Sequence, residues 1–244
     1  MKLVFAYIKT ELLNFFRQPS YVTSTLIFPS VFFMFFALPN IDSVEGAQLM
    51  FGSFSCYAVL SVVFFQFSVT TAMERASNWQ QFLKTLPVKF WQWMTARVLV
   101  SLSFALMSAF ILMFTVFVTT ELEFSMSLVA KSFFALILAG LPFCFMGLTI
   151  GYLVSEQSAI PVSNLFYLPL SFAGGLWLPP EALPKVVQEV SMYLPSRHYG
   201  EVLWSISFDQ TLPMKSVYHL LVTLVVSALI FAFVFRLDHA KKRL

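Results

Sequence analysis

Residues 49–73 read LMFGSFSCYAVLSVVFFQFSVTTAM, a run in which no side chain is charged. A helix rises about 1.5 Å per residue, so a run of this length can cross the roughly 30 Å hydrocarbon core of a bilayer. Five further runs of the same character lie at residues 21–38, 98–120, 132–155, 157–178 and 216–235. Because short strands of alternating polarity are not seen, the sequence predicts an all-α integral membrane protein with six transmembrane helices.

The composition excludes the soluble and the disordered classes of protein. Apolar residues make up 59% of the 244 residues and charged residues only 11%, against about 45–50% and about 25% in a typical soluble domain. A disordered chain would need far less apolar surface than this. Cys56 and Cys144 both lie in apolar runs, so we interpret them as small buried apolar residues rather than as a disulfide or metal pair.

The chain is predicted to form one transmembrane domain over residues 1–244. Its parts are an interfacial helix at 1–20, spans one to five at 21–178, an outer helical segment at 179–215, span six at 216–235 and a basic tail at 236–244. In the first part, Val4, Ile8 and Leu12 share one face of a helix, and Lys2 and Lys9 lie opposite. This pattern favours an amphipathic helix in the membrane interface over a frayed basic tail.

The distribution of basic residues predicts the orientation of the chain. Eleven of the 15 Lys and Arg residues lie in the N-terminal segment, the connection between spans two and three, and the C-terminal tail. Cytoplasmic loops of membrane proteins carry an excess of Lys and Arg. We therefore predict that both termini are cytoplasmic, in a multi-pass protein of the bacterial cytoplasmic (inner) membrane.

The connection between spans two and three contains a second amphipathic pattern. Trp79, Phe82, Leu83 and Leu86 recur at helical spacing, and Pro87 is predicted to end the helix. A helix that only lies on the membrane surface and a helix that docks a cytoplasmic protein fit this pattern equally well.

The connection between spans five and six is unusually apolar for a loop. It contains two stretches of helical apolar spacing separated by Pro195, which predicts two short helices facing lipid or the helix bundle. Span five itself contains Pro161, Pro169 and the pair Gly174-Gly175. These residues are compatible with a bent packing helix or with a kinked helix at a gate.

Span four carries a Gly-x-x-x-Gly pair, Gly147 and Gly151, and Gly140 extends the same face. Small residues at this spacing let another helix approach closely. A contact within the chain is favoured over a contact between two chains.

Catalytic and nucleotide-binding patterns are not found in the sequence. Only His219 among the ionisable residues falls within a predicted span, whereas proton relays and in-membrane enzymes place charged groups there. No phosphate loop of the form G-x-x-x-x-G-K-[ST] and no cluster of metal ligands occurs. We therefore predict no catalytic residue, no metal site and no enzyme activity, so that any energy for transport comes from another polypeptide.

Three motifs give the chain a family resemblance. Residues 174–184, GGLWLPPEALP, resemble the pattern G-x-x-x-P-x-x-x-L-P at the exit from a fifth span, and residues 193–199, YLPSRHY, resemble the L-P-x-x-[HY] turn that follows. Residues 73–87 resemble the cytoplasmic pattern E-R-E-x-G-x-x-x-x-L-x-x-x-P, with Ala76 and Ser77 where a second acidic residue and a small residue are usual. The chain thereby resembles the membrane subunit of ATP-binding-cassette exporters of the ABC-2 type.

The resemblance implies that two permease subunits, identical or homologous, pair and dock two cytoplasmic ATPase subunits. ATP and Mg would bind to the ATPases, and no cofactor would bind to this chain. The residues implied to couple to the ATPase are Glu74, Arg75, Trp79, Phe82, Leu83 and Leu86. Those implied to form the exit and re-entrant motif are Gly174, Gly175, Pro179, Pro180, Leu183, Pro184 and Pro195. The candidates for lining the pathway are Phe32, Phe36, Phe65, Tyr167 and Phe172.

The aromatic spans suit an amphiphilic, drug-like or lipid-like cargo that leaves the cytoplasm or the inner leaflet. Ordinary lipid-facing Phe side chains explain the same residues equally well. The expected partners are the ATPase, the second permease copy and membrane lipid, without nucleic acid. The alternative function is a non-transporting membrane anchor or scaffold for a cytoplasmic partner.

Overall fold

The computed structural model describes residues 23–77 and 90–241, together with residues 9 and 13. The described residues form eight α-helices: α1 (Phe28–Phe36), α2 (Val44–Ala76), α3 (Phe90–Thr119), α4 (Met126–Leu153), α5 (Glu156–Ala173), α6 (Lys185–Ser191), α7 (Pro195–Ser207) and α8 (Met214–Lys241). No strand occurs within these ranges, and the predicted all-α class is confirmed for them. The interfacial helix predicted over residues 1–20 lies almost entirely outside the described residues.

Four of the helices are long and apolar enough to cross a membrane, over Val44–Ala76, Gln92–Thr119, Met126–Leu153 and Met214–Asp238. The region of the first predicted span holds a shorter apolar helix, Thr25–Asn40. The fifth region holds α5, which has 18 residues. Its two prolines and polar residues such as Asn164 make it less apolar than the other long helices.

Several helices extend beyond the predicted limits, because a helix continues past the apolar core into the interface. α3 already includes Phe90, eight residues before the predicted start of the span at residue 98, and α8 extends to Lys241 through most of the predicted basic tail. α5, in contrast, ends at Ala173 instead of residue 178.

The longer helices bring charged residues into the candidate spans. Arg97 lies within Gln92–Thr119 and Lys131 within Met126–Leu153. The prediction that His219 is the only ionisable residue in a span is therefore wrong. These charged residues lie near helix ends, where partners are within reach.

α2 is the central helix of the bundle. It packs against α3, α4, α5 and α7, and most of its residues are buried. Ser43 caps its N-terminus by accepting a hydrogen bond from the Gly46 N–H at 3.0 Å. Over Ser61–Gln66 the helix widens into a π-helical segment, a feature that is frequent at functional sites.

The small face of α4 lies against α2. A Cβ atom at Gly147 would come within 2.7 Å of the Phe64 carbonyl oxygen, and one at Gly151 within 2.7 Å of the Ser68 carbonyl oxygen. Gly140 continues this face toward the N-terminus of α4. The predicted contact of the Gly-x-x-x-Gly pair within the chain is therefore confirmed.

α7 is a short buried helix at the distal end of the bundle, defined here as the end at which α2, α4 and α8 begin. Near its N-terminus, Tyr199 donates a hydrogen bond to the Leu136 carbonyl at 3.0 Å, and its ring lies 5.5 Å from that of Phe143. At about 1.5 Å per residue, Leu136 and Phe143 lie about 15 Å and about 26 Å from the N-terminus of α4, which is about 42 Å long. The outer segment thus contains the two predicted short helices, and α7 reaches the middle of α4.

Candidate functional site

Four charged side chains meet at the basic end of the bundle, the end at which α2, α4 and α8 finish and α3 begins. Arg75 donates from Nη2 to Asp238 Oδ1 at 2.7 Å, and Arg97 pairs with Glu74. Arg75 also donates from Nη1 to the Gly151 carbonyl at 3.0 Å. These four side chains, the basic-end network, therefore connect the ends of α2, α3, α4 and α8.

The Arg97 side chain is only 5% exposed. Its guanidinium lies 5.3 Å from the ring centroids of both Phe67 and Trp93, and it donates to the hydroxyls of Thr70 and Thr71 at 3.3 Å. Aromatic faces and hydroxyls are favourable surroundings for a guanidinium that has lost its water. Arg97 is thus held in one geometry by contacts on several sides.

Two of the six residues predicted to couple to an ATPase, Glu74 and Arg75, lie in this network with their side chains bonded to other helices of the same chain. The other four lie outside the described residues: Trp79, Phe82, Leu83 and Leu86. Sequence reasoning missed Arg97 and Asp238, because their pairing depends on how helices distant in sequence meet. The signal available in the sequence was that each of these charged residues lies at the edge of a long apolar run.

The five candidate pathway residues lie in one group of packed rings. This aromatic cluster comes from α1, α2, α5 and the segment after α5, and consists of Phe32, Phe36, Phe54, Tyr57, Phe65, Tyr167, Phe172 and Trp177. Tyr57 is central: its ring centroid lies 5.4 Å from Phe32, 5.7 Å from Tyr167 and 6.0 Å from Trp177. The structure therefore places the predicted residues in one group and adds Tyr57, which contacts two of them, Phe32 and Tyr167.

The remaining predicted residues join the cluster through single contacts. Phe36 lies 4.3 Å from Phe32, Phe65 lies 5.6 Å from Tyr167, and Phe172 lies 5.9 Å from Trp177. Tyr167 is buried, whereas Phe36 is 57% exposed on the surface of α1. The cluster thus extends from the protein interior to an uncovered face.

The exit motif reverses the chain at the end of α5. Gly175 has a φ of +77°, which favours glycine, and a Cβ there would come within 2.8 Å of Pro180. A Cβ at Gly174 would clash with Ser196 and with the Leu170 carbonyl. Ser196 in turn donates from Oγ to that carbonyl at 2.6 Å, so the motif joins the end of α5 to the start of α7.

The other residues of the exit motif flank the short helices. Pro180 begins a turn of 3-10 helix directly after Pro179. Leu183 is buried, and Pro184 immediately precedes α6. Pro195 is the first residue of α7, a position where its missing N–H is not needed.

A further polar group, the His-Glu cluster, links α7 to α8: it consists of Arg197, His198, Glu201, Ser216 and His219. Glu201 accepts hydrogen bonds from Arg197 Nε at 2.8 Å and from the Ser216 hydroxyl. His198 Nδ1 lies 3.2 Å from Glu201 Oε2 and 3.0 Å from Ser216 Oγ, and its ring lies 4.1 Å from that of His219. Burial alone would raise the pKa of Glu201, but these hydrogen bonds and the charges of Arg197 and His198 outweigh it and lower that pKa.

We expect Glu201→Gln to remove part of the pH dependence of stability. The folded-state pKa of Glu201 lies below its ordinary value of 4.5, so the ionised carboxylate stabilises the fold above that value. This stabilisation is lost as the pH falls through the folded-state pKa. At pH about 6, the melting temperature of Glu201→Gln in detergent should be a few degrees lower than that of the parent chain. Below pH about 4.5, the melting temperature of the parent chain should fall more steeply than that of Glu201→Gln. Glu189→Gln, a change at an exposed carboxyl of α6, should keep the parent profile; an unchanged profile for Glu201→Gln would contradict the assignment.

The fold and these sites define a helical membrane protein with several candidate spans. Salt bridges of the basic-end network connect its helix ends, and the aromatic cluster packs between its helices. The sequence model of the family "ABC-2 type transporter" matches residues 2–208. The match covers most of the chain, and the chain belongs to this family. It is also similar to the "Putative transport permease YvfS" of Bacillus subtilis (strain 168), with 24% identity over 202 residues, covering 80% of this chain and 82% of that protein.

The chain is therefore a transport permease, the membrane subunit of a transporter and not itself an ATPase. Within the part of the chain that the structure describes, no group of three or more His, Cys, Asp or Glu side chains could hold a metal ion. Cys56 and Cys144 are both buried and unbonded to each other.

Proposed function

We propose that the chain is the membrane subunit of an exporter that is driven by a separate cytoplasmic ATPase. In this proposal the basic end and both termini are cytoplasmic, α1 and α5 complete a set of six spans, and ATP and Mg bind only to the partner subunit. The membrane is the bacterial cytoplasmic membrane.

The basic-end network is the observation that carries this proposal. Two of its members, Glu74 and Arg75, begin the segment Glu74–Leu86, where the family resemblance expects the ATPase to dock. Arg75 contacts Asp238 of α8 and Gly151 of α4, and Arg97 of α3 contacts Glu74. A displacement of this segment by the ATPase would therefore act on four helices together, because partly buried, hydrogen-bonded charge pairs hold their geometry better than exposed ones.

The aromatic cluster supports a pathway along α1, α2 and α5. Its exposed edge continues into uncovered apolar faces, with Phe35 76% exposed on α1 and Leu165 68% exposed on α5. We propose that a second permease copy covers these faces, so that the pathway lies between the two subunits. A cargo with an aromatic or other apolar body fits such a lining best, which is an amphiphilic, drug-like or lipid-like molecule.

We propose that α6 and α7 form a re-entrant hairpin that caps the exit. Tyr199 contacts the middle of α4, and Ser196 is bonded to the end of α5. Trp204 donates to Ser53 Oγ of α2 at 2.8 Å. Each of these contacts fixes the hairpin to a helix that also contributes to the bundle core.

We expect Arg75→Gln to separate ATP hydrolysis from transport. The variant loses the pair with Asp238 but leaves residues 78–89 unchanged, so the ATPase should still co-purify and hydrolyse ATP. ATP-dependent movement of an amphiphilic fluorescent dye into inside-out vesicles should fall at least about tenfold. Arg236→Gln, a change at an exposed arginine of α8, is the matched control and should transport as the parent does.

Two results would count against the proposal. Undiminished transport by Arg75→Gln would show that the basic-end network is not the coupling element. A parent complex that binds a cytoplasmic protein but moves no dye under ATP, for a panel of dyes of different charge, would favour the scaffold function instead.

A further inference from the structure

A cavity of about 480 Å³ lies at the distal end of the bundle, between α4, α7 and α8. Its volume falls in the range of about 300–1,000 Å³ that is usual for small-molecule sites. Apolar side chains of all three helices line it, among them Leu138, Ile206 and Leu220, and Ala135 forms part of its wall. The cavity is therefore suited to an apolar chain or ring.

Lys131 and Asp209 also line the cavity, and they are its charged groups. Lys131 Nζ donates to Asp209 Oδ1 at 3.0 Å, and both side chains are well exposed. The cavity thus combines an apolar interior with one positive and one negative group at the protein surface.

The backbone after α7 fixes the position of the negative group. Asp209 has a φ of +49°, in the left-handed region that Asp and Asn tolerate better than other residues with a side chain. Its N–H donates to the Ile206 carbonyl at 3.1 Å, and the next N–H, that of Gln210, donates to the Ser205 carbonyl at 2.7 Å. This closed turn fixes the Asp209 backbone, from which the carboxylate reaches Lys131 of α4.

The cavity lies on the lipid-facing side of the bundle, away from the aromatic cluster. α8 packs mainly on α4 and α7, and residues along its other face are exposed, such as Leu221, Val225 and Leu229. The aromatic cluster is built from α1, α2, α5 and the segment after α5, and the contact of α8 with α2 through Asp238 and Arg75 lies at the opposite, basic end of the bundle. A molecule in this cavity would therefore come from the membrane and not from the proposed pathway.

We propose that this cavity binds one chain of a phosphatidylethanolamine lipid. Lys131 would bind the phosphate of the headgroup and Asp209 would bind its ammonium, so each charge of the headgroup meets the opposite charge. Phosphatidylglycerol has the same phosphate for Lys131 but carries no cation, so the Asp209 carboxylate would gain no partner from its headgroup. The quaternary ammonium of phosphatidylcholine cannot donate a hydrogen bond to the carboxylate.

Lipid binding at this site does not depend on ATP or on transport. The proposed orientation, which rests on the proposed function, would place the site in the outer leaflet, but the lipid preference does not depend on that orientation. The test therefore uses the full chain alone, so that its failure is distinct from a failure of the exporter proposal.

The experiment is a lipid competition on the purified chain in detergent. Phosphatidylethanolamine, phosphatidylcholine and phosphatidylglycerol with identical acyl chains are added together, and the bound lipid is measured by native mass spectrometry. We expect phosphatidylethanolamine to be retained at least about tenfold over each of the others. Asp209→Asn keeps the backbone turn, since Asn also tolerates this conformation, and should remove the preference over phosphatidylcholine.

Four further variants complete the design. Lys131→Gln should lower retention of all three lipids by removing the phosphate contact, whereas Lys215→Gln, a change at an exposed lysine of α8, should not. Ala135→Trp should fill the cavity and abolish retention, whereas Ala232→Trp, at an exposed alanine of α8, should leave it intact. Should Ala135→Trp fail to fold, Lys131→Gln and Asp209→Asn still decide the question.

Three outcomes would overturn the proposal. Equal retention of the three lipids would show that no headgroup is recognised. Preferential retention of phosphatidylglycerol that survives Asp209→Asn would show a site for a single negative charge. Loss of a dimer in Ala135→Trp, without any change in bound lipid, would show that a second copy of the chain occupies the cavity.

Discussion

Gly147→Ala should destabilise the chain by about 2–3 kcal/mol, which lowers the melting temperature by about 5–10 °C. The added Cβ would lie 2.7 Å from the Phe64 carbonyl oxygen and 3.0 Å from the Val63 carbonyl oxygen. These are backbone atoms of the π-helical segment of α2, so no side chain can turn aside to make room. The two helices would have to separate, and every contact between α2 and α4 would loosen.

The matched control for this change is Gly46→Ala. A Cβ there meets only Ser43 Oγ, at an ordinary contact distance of 3.5 Å. Both substitutions gain the same intrinsic helix propensity, about 1 kcal/mol, so their difference isolates the close approach of α4 to α2. The melting temperatures of both variants are measured as the loss of the monodisperse fraction in detergent on heating. Equal stability of the two variants would contradict the packing described here.

Arg97→Met should cost about 3 kcal/mol, because it removes a charge partner of the partly buried Glu74 carboxylate together with the other hydrogen bonds of the guanidinium. The Arg97 side chain is 5% exposed and that of Glu74 is 22% exposed, so water can compensate only in part. Methionine retains most of the apolar contact with Phe67 and Trp93, so the loss reports mainly on the charge. Reversible unfolding in mixed micelles measures the effect.

A double-mutant cycle separates the pair from other causes. Glu74→Gln combined with Arg97→Met should recover part of the stability, because the carboxylate that Arg97 neutralises is removed as well. Lys131→Met breaks the exposed pair with Asp209, and in lipid-free detergent it should cost less than about 1 kcal/mol. Additive losses in the double variant would show that the two charges do not interact.

The sequence predicted the helical regions well, because long uncharged runs have few alternatives in a bilayer. Pro195 correctly separated the two short outer helices, and the Gly147-Gly151 pair correctly indicated a close helix contact within the chain. These features are local, and each depends on residues within one or two turns. The position of each helix end was less predictable, since α3 extends well before its apolar core.

The candidate site was predictable in its composition but not in its connections. The five pathway residues were chosen from resemblance, and nothing in their spacing indicated that Tyr57 would contact rings from α1, α5 and the exit motif. Arg97 and Asp238 are separated in sequence from their partners by 23 and 163 residues, so no local pattern could pair them. The cavity beside Lys131 arises from three helices that meet only in the folded chain.

The most direct test of the exporter account is affinity purification of the tagged chain in mild detergent, with the associated proteins identified and their ATP hydrolysis measured. We predict a stoichiometric ATPase subunit with the parent chain, and its loss when Phe82 and Leu83 are both changed to Asp, while membrane insertion is unchanged. Gln80→Asp, in the same segment, should retain the ATPase. A homo-oligomer without any nucleotide-binding partner, even after crosslinking, would contradict the account.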